Sequence, residues 1–131
     1  MEQKIAYTIG PFHAVSKTKM RKNVTNAQAV ALAYWKKGYT VICPHSNSGN
    51  FYGCLNETDV LVGYLNLIDL LASQDKDRPL TLIFIPGWGR SKGSIAEYAR
   101  VINKNTVRIM LTEDELEEYR KIYLKDRVKL V

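Results

Sequence analysis

Short apolar runs alternate along this chain with longer segments in which apolar residues recur every three or four positions. The apolar runs cover residues 5–9, 39–43, 80–85 and 106–111. Gly10-Pro11 closes the first run, Pro44 the second and Pro86-Gly87 the third. Apolar runs of this length that end at turn residues are typical of buried strands. The sequence therefore predicts four β-strands.

Helical periodicity fills the segments between these runs. Over residues 23–38 the apolar side chains fall on one face, with Asn23 as the predicted N-cap and Gly38 just past the C-terminus. Similar spacing predicts helices over about 57–73, 94–104 and from 112 onward, where Thr112 and Glu115 form a capping-box pattern. Residues 45–56 are rich in Ser, Asn and Gly, and we expect them to form a loop.

The order β-α-β-α-β-α-β-α indicates a single α/β domain over residues 1–131. Strands that alternate with helices favour a parallel sheet, here of four or five strands, with helices on both faces. Ligands of such sheets bind at the carboxyl ends of the strands, near the point where strand order reverses. We therefore expect a functional site among residues 10–13, 44–47 and 86–94.

Composition narrows the class of protein. The chain is 46% apolar and 24% charged, as expected for a folded globular protein, and its longest uncharged segment, 39–56, is broken by polar residues. With no predicted signal peptide and only Cys43 and Cys54, we expect a reduced, cytoplasmic protein with no membrane span, no metal site and no cofactor. The net charge of +6 has three explanations. Solvated surface charge ranks first, a small ligand that carries phosphate second, and a nucleic-acid partner third.

The segment from Pro86 to Glu97 is the strongest candidate for chemistry. It is a glycine-rich loop that leads into a helix, whose N-terminal N–H groups and dipole favour an anion. It matches neither a Walker loop nor a dinucleotide fingerprint. Ser94 and Glu97 fit a capping box, in which Glu97 has a structural role. Alternatively, Glu97 is a carboxylate nucleophile or base one turn into the helix.

Four further side chains follow the predicted strands. His13 and His45 lie just after the first and second strands, and we expect ligand contact from them more than catalysis. Phe12 and Trp88 follow the first and third strands, where an aromatic ring either joins the core or stacks on a flat ligand. The sequence leaves both alternatives open.

Several of these segments together resemble a known family. Residues 7–12 (YTIGPF), 42–47 (ICPHSN) and 86–97 (PGWxxSKGxxxE), with Asn26-Ala27 and Trp35-x-x-Gly38 between them, resemble the nucleoside 2-deoxyribosyltransferase-like superfamily. The similarity is greatest to its small phage and bacterial branch, and it covers roughly residues 5–111.

The resemblance implies a flavodoxin-like or Rossmann-like three-layer sandwich. It also implies N-glycosidic bond cleavage or transfer on a (deoxy)nucleoside or nucleoside 5′-monophosphate, without a cofactor, in a homo-oligomer whose neighbour completes the pocket. The nucleophilic glutamate falls on Glu97, and Arg90 and Lys92 would add positive charge for a 5′-phosphate. The resemblance places substrate contacts on Gly10, Pro11, Phe12, Ser91, Gly93 and Ser94. We also expect His45, Asn47, Tyr64 and Trp88 to bind the substrate.

The chain departs from the family pattern at one position. Tyr64 stands where family members commonly carry an aspartate that helps hold the sugar or manage the proton of the leaving base. This difference leaves open a weak hydrolase, an altered substrate or a nucleotide-binding module without turnover. A basic adaptor for nucleic acid or protein is a third class of function.

Overall fold

The computed structural model describes residues 4–51, 53–72 and 77–128 of the chain. The strands are β1 (Lys4–Ile9), β2 (Tyr39–Ile42), β3 (Leu80–Phe84) and β4 (Thr106–Met110). The helices are α1 (Lys17–Lys36), α2 (Pro44–Ser48), α3 (Glu57–Ala72), α4 (Lys92–Val101) and α5 (Glu113–Val128). Two short 3-10 turns, Gly49–Phe51 and Trp88–Arg90, precede α3 and α4.

The four strands form one parallel sheet in the order β2-β1-β3-β4. Tyr7 of β1 is in register with Ile42 of β2 and with Leu82 of β3. The α/β prediction is confirmed, and the arrangement is that of a flavodoxin-like or Rossmann-like three-layer sandwich. Because β1 is followed by β2 on one side and lies beside β3 on the other, the strand order reverses between β1 and β3.

Each face of the sheet has its own apolar core. Successive side chains of a strand point to opposite faces, so Ala6 and Ile83 pack with α1 and α5, whereas Tyr7 and Leu82 pack with α3 and α4. All five residues of β3 are buried, as expected for a central parallel strand covered on both faces.

Three boundaries differ from the sequence-based predictions. Helix α4 spans Lys92–Val101, where the sequence predicts 94–104. Helix α1 begins six residues before Asn23, because Ser16 is the N-cap and its hydroxyl accepts from the Lys19 N–H. Asn23 is instead buried within the helix and donates from Nδ2 to the Phe12 carbonyl at 3.1 Å. The predicted loop 45–56 contains α2, which has Pro44 at its first turn, and the 3-10 turn that follows it.

Other local predictions are confirmed. The capping box of α5 is reciprocal: the Thr112 N–H donates to the Glu115 carboxylate at 3.0 Å, and the Glu115 N–H donates to the Thr112 hydroxyl at 3.1 Å. Gly38 follows α1 with a φ of 95°, the left-handed conformation of a C-terminal glycine. Within the described ranges, no helix has the length and apolar character needed to cross a membrane.

Candidate active site

A cleft of about 920 Å³ opens at the edge of the sheet where the parallel strands end. Its size lies within the range of roughly 300–1,000 Å³ typical of small-molecule sites. Most residues that the sequence analysis singled out line it: Gly10, Pro11, Phe12, His13, His45, Tyr64, Ser91, Gly93, Ser94 and Glu97. Asn47 and Trp88 lie outside its lining. The sheet edge expected from the strand order therefore does hold the candidate site.

Glu97 lines this cleft, but its side chain is nearly enclosed. The residue is 8% exposed, and the Tyr7 hydroxyl, which is fully buried, donates a hydrogen bond to Oε2 of Glu97 at 2.5 Å. The position of Glu97 one turn into the helix after the third strand predicts a side chain that faces the cleft with an exposed carboxylate edge. Instead, a strand residue 90 positions earlier in the chain holds the carboxylate at the base of the cleft.

This enclosure changes the acidity of both partners. Burial raises the pKa of the Glu97 carboxyl to about 7, although the hydrogen bond from Tyr7 and the charge of His45 act in the opposite direction. Burial, followed by the charge of Glu97, raises the pKa of the Tyr7 hydroxyl far above its ordinary value. Tyr7 therefore remains a hydrogen-bond donor throughout the range in which Glu97 titrates.

The capping-box interpretation of Glu97 is wrong. Helix α4 begins at Lys92, its N-cap is Ser91, and the Ser94 N–H donates to the Ser91 hydroxyl at 3.3 Å. Ser94 is thus the third residue of the helix, and Glu97 bonds to Tyr7 instead of folding back on the helix end. Ser94 is 1% exposed, and its hydroxyl has no hydrogen-bond partner among the described residues.

The N-terminal end of α4 suits a negatively charged group. Arg90 and Lys92 line the cleft on either side of Ser91, and the first turn of α4 contains no acidic residue. Free N–H groups at a helix start, the positive end of the helix dipole and nearby cations all favour anions. This end of the cleft is therefore suited to an anion, and the 5′-phosphate subsite expected from the sequence stays a prediction.

His45 connects the loop after β1 to α2, the short helix that follows β2. It is buried, and Nε2 donates to the Pro11 carbonyl at 3.0 Å, because a carbonyl can only accept. Its ring also meets the edge of Phe12, with centroids 5.8 Å apart. Since Nε2 is engaged, His45 shapes the cleft wall and does not present that nitrogen to a ligand.

Tyr64 lines the cleft, and its hydroxyl belongs to a local network. Its Oη accepts from Nδ2 of Asn47 at 3.0 Å and lies 2.8 Å from the Ser48 hydroxyl oxygen. Asn47 thus orients Tyr64 from outside the cleft. Asp69, one and a half turns further along α3, is held by Arg100 and by Lys104, so it does not replace the carboxylate that the family pattern has at position 64.

Trp88 packs into the core on the α3 and α4 face of the sheet. Its ring centroid lies 4.9 Å from that of Phe84 and 5.2 Å from that of Tyr98. The sequence left open whether the Trp88 ring joins the core or stacks on a flat ligand. In the structure it joins the core. Phe12 does line the cleft, so a stacking role on a flat ligand stays a prediction for that residue.

Two features of the candidate site escaped the sequence analysis. Tyr7 was placed among the apolar residues of a buried strand, yet a buried tyrosine hydroxyl needs a partner, and that requirement was the available signal. At the cleft mouth, Nε2 of His13 lies 2.6 Å from Oε1 of Glu57, with both side chains more than half exposed. No sequence spacing relates these two residues, because 44 positions separate them.

Among the described residues, no group of three or more His, Cys, Asp and Glu side chains is arranged to hold a metal ion. Comparisons of the chain with protein-family models, with curated proteins and with solved structures found no match. The family resemblance therefore stays a prediction that rests on the quoted motifs.

Proposed function

We propose that this protein cleaves or transfers the N-glycosidic bond of a nucleoside or nucleoside 5′-monophosphate, with Glu97 as the nucleophile. The observation that carries the proposal is the Glu97 carboxylate, which Tyr7 holds at the base of a cleft at the sheet edge. A nearly enclosed carboxylate with one fixed hydrogen bond fits attack on a carbon better than it fits a structural ion pair. The sequence motifs around Glu97 support the same chemistry.

The reaction proceeds in two displacements, as in retaining glycosidases. A Glu97 oxygen attacks the anomeric carbon while the bond to the base nitrogen breaks, and its electron pair leaves with the base. The departing nitrogen takes a proton from a water molecule or an acidic group in the cleft. Water, or a second base in a transfer reaction, then attacks the same carbon and releases Glu97 as a carboxylate.

The pKa of Glu97 sets the pH range of this chemistry. Attack requires the ionised carboxylate, and with a pKa of about 7 roughly half of the free protein carries it at neutral pH. Low hydration makes the ionised form more nucleophilic, and the Tyr7 hydrogen bond keeps one oxygen oriented. The rate of base release should therefore rise as pH increases through 7 and then level off.

The cationic end of the cleft favours a phosphorylated substrate. Arg90 and Lys92 line the same cleft as Glu97, and α4, which carries Glu97, begins at Lys92. A 5′-phosphate seated there leaves the sugar between the phosphate and Glu97. We therefore expect nucleoside 5′-monophosphates to react in preference to the corresponding nucleosides.

A nucleotide-binding module without turnover is the second candidate. It is favoured by Tyr64, whose hydroxyl is already engaged with Asn47 and Ser48 and supplies no carboxylate to the cleft. In that case the cleft and the cationic end of α4 retain nucleotide binding, and Glu97 serves to orient the sugar.

Base release distinguishes the two candidates. Purified protein is incubated with a panel of nucleosides and 5′-monophosphates, and free base is separated by chromatography. Glycosidase activity predicts base release that falls by about 10³-fold or more in Glu97→Gln. The exposed surface variant Glu118→Gln is the matched control and should retain full activity.

The other outcomes of the base-release experiment each select or reject a candidate function. Full activity in Glu97→Gln rejects the nucleophile. Nucleotide binding by the wild type, with no base released from any member of the panel, selects the binding module. Absence of both binding and release rejects both candidates.

A further inference from the structure

His13 and Glu57 form an imidazole–carboxylate pair at the mouth of the cleft, and both residues line it. Nε2 of His13 lies 2.6 Å from Oε1 of Glu57, and both side chains are more than half exposed. Because an ionised carboxylate can only accept, Nε2 is the donor, and Glu57 fixes the orientation of the ring. Nδ1 is then the ring nitrogen through which His13 exchanges a proton with a ligand.

Glu57 stands on the face of α3 that borders the cleft. Glu57, Val60, Leu61 and Tyr64 all line the cleft, and their spacing places them on one stripe of the helix. At the far end of this stripe, Tyr64 occupies the position at which the family pattern has an aspartate. Glu57 therefore brings a carboxylate to the same cleft about two helical turns nearer the start of α3.

The aromatic ring beside His13 is the one for which a stacking role is predicted. Phe12 lines the cleft, and its ring meets the ring of His13 edge-on, with centroids 5.9 Å apart and planes inclined at 81°. Nucleobases stack on aromatic side chains. A base that stacks on Phe12 therefore comes within reach of the His13 imidazole.

The second histidine of the cleft cannot take the same role. Nε2 of His45 donates to the Pro11 carbonyl, and Nδ1 of His45 is enclosed, with no hydrogen-bond partner among the described residues. Neither nitrogen can pass a proton to a ligand unless the ring moves. The chain has two histidines, so His13 is the imidazole that remains for proton transfer in the cleft.

We propose that His13 is the general acid that protonates the departing base, and that Glu57 is its positioning residue. The inference rests on the proposed N-glycosidic activity. As the bond from the anomeric carbon to the base breaks, its electron pair stays with the base, which takes the Nδ1 proton of the His13 imidazolium. The ring is left neutral, with Nε2–H still donating to Glu57. When water attacks the glycosyl-enzyme, Nδ1 accepts the proton that this water loses, and the imidazolium is restored.

The dependence of the rate on the leaving group tests this role, because a good leaving group departs without a proton. Base release from the most reactive nucleotide of the panel is compared with nitrophenolate release from the 4-nitrophenyl glycoside of the same sugar. His13→Gln should lower base release about 100-fold or more and leave nitrophenolate release close to that of the wild type. Retained nitrophenolate release also shows that the variant is folded.

Glu57→Gln should produce a smaller loss of the same kind, in kcat for base release and not in KM, because it disturbs the orientation of His13 without touching the substrate. Asp126→Asn is the matched control: it breaks an exposed ion pair with Lys36 outside the cleft lining, and it should change neither rate. The plateau above pH 7 that Glu97 alone predicts should hold for the nitrophenyl glycoside. For the nucleotide, loss of the His13 proton should turn that plateau into a decline.

The same variants separate failure of this inference from failure of the proposed function. Equal losses on both substrates in His13→Gln, or no loss on either, overturn the general acid and leave Glu97 as the nucleophile. A wild type that releases nitrophenolate but no base also overturns it. Base release that needs His13 but survives in Glu97→Gln rejects the nucleophile and not the acid. A wild type that releases neither product rejects the proposed activity and, with it, the acid.

Discussion

Glu97 is the residue on which most of this account depends, and its environment makes the folded protein sensitive to pH. The folded pKa is about 7, whereas an unperturbed glutamate has 4.5. Between these values the folded protein holds a proton that the unfolded chain has lost. The contribution of Glu97 to the free energy of unfolding is therefore highest below pH 4.5 and falls as pH rises through 7.

Glu97→Gln should remove this dependence. Glutamine stays neutral and can still accept from the Tyr7 hydroxyl, so the variant avoids the cost of burying a charge. Relative to their difference at pH 4.5, we expect the variant to gain up to about 3 kcal/mol over the wild type above pH 7. Denaturant unfolding at several pH values measures this. A difference in the free energy of unfolding that does not change with pH, as expected for the exposed control Glu118→Gln, would show that burial does not raise the pKa of Glu97.

Tyr7 should tune the ionisation of Glu97. Its hydrogen bond stabilises the ionised carboxylate and so lowers the pKa that burial has raised. In Tyr7→Phe we therefore expect the pH at which Glu97 titrates, and with it the acid limb of base release, to move above that of the wild type. Tyr123→Phe is the control, because this tyrosine donates to Gln28 away from the cleft. An unmoved pH profile in Tyr7→Phe would exclude this role.

At the scale of elements, local sequence signals predicted which segments form helices and strands. They were less accurate about the residue at which each helix begins. Ser94 and Glu97 have the spacing of a capping box, and Ser91 has no acid three positions later, so the sequence favours Ser94 as the cap. In the structure the cap is Ser91, and Glu97 is held by Tyr7 of β1, which is 90 positions away in the chain. A contact between residues so distant in sequence leaves no trace in local spacing. The same holds for the pairing of His13 with Glu57.

The two serines of α4 should respond differently to alanine. Ser91→Ala removes the side-chain cap and should lower the free energy of unfolding by about 1 kcal/mol. Ser94→Ala removes a buried hydroxyl that has no partner among the described residues, so its effect should be close to zero or slightly stabilising. Thermal unfolding of both variants tests the cap. A larger loss in Ser94→Ala would restore the original capping assignment.

Gly10 directly follows β1, at a point where the chain passes very close to Ile85, the residue after β3. A Cβ added at Gly10 would lie 2.9 Å from Cβ of Ile85, which cannot move without shifting the backbone. Gly10→Ala should therefore destabilise the protein by about 1–3 kcal/mol. Gly89→Ala is the control, because a Cβ there meets nothing within 4 Å. Equal melting temperatures for the two variants would contradict the close approach.

At the scale of the whole molecule, the alternation of strands and helices was enough to predict the parallel sheet and the edge where the cleft lies. That prediction succeeds because buried parallel strands and their crossover helices leave strong hydrophobic patterns. It could not reveal that Trp88 belongs to the core or that Asn47 supports Tyr64, since both depend on which side chains meet after folding.

The most direct test of the central claim is to trap the intermediate on Glu97. Fluorine at the sugar 2-position slows both displacements, because it destabilises their oxocarbenium-like transition states. A good leaving group restores the rate of the first displacement alone, so the glycosyl-enzyme accumulates. Intact-protein mass spectrometry should show one added sugar, peptide mapping should place it on Glu97, and Glu97→Gln should acquire none. Base release without any adduct, or an adduct on another residue, would contradict Glu97 as the nucleophile.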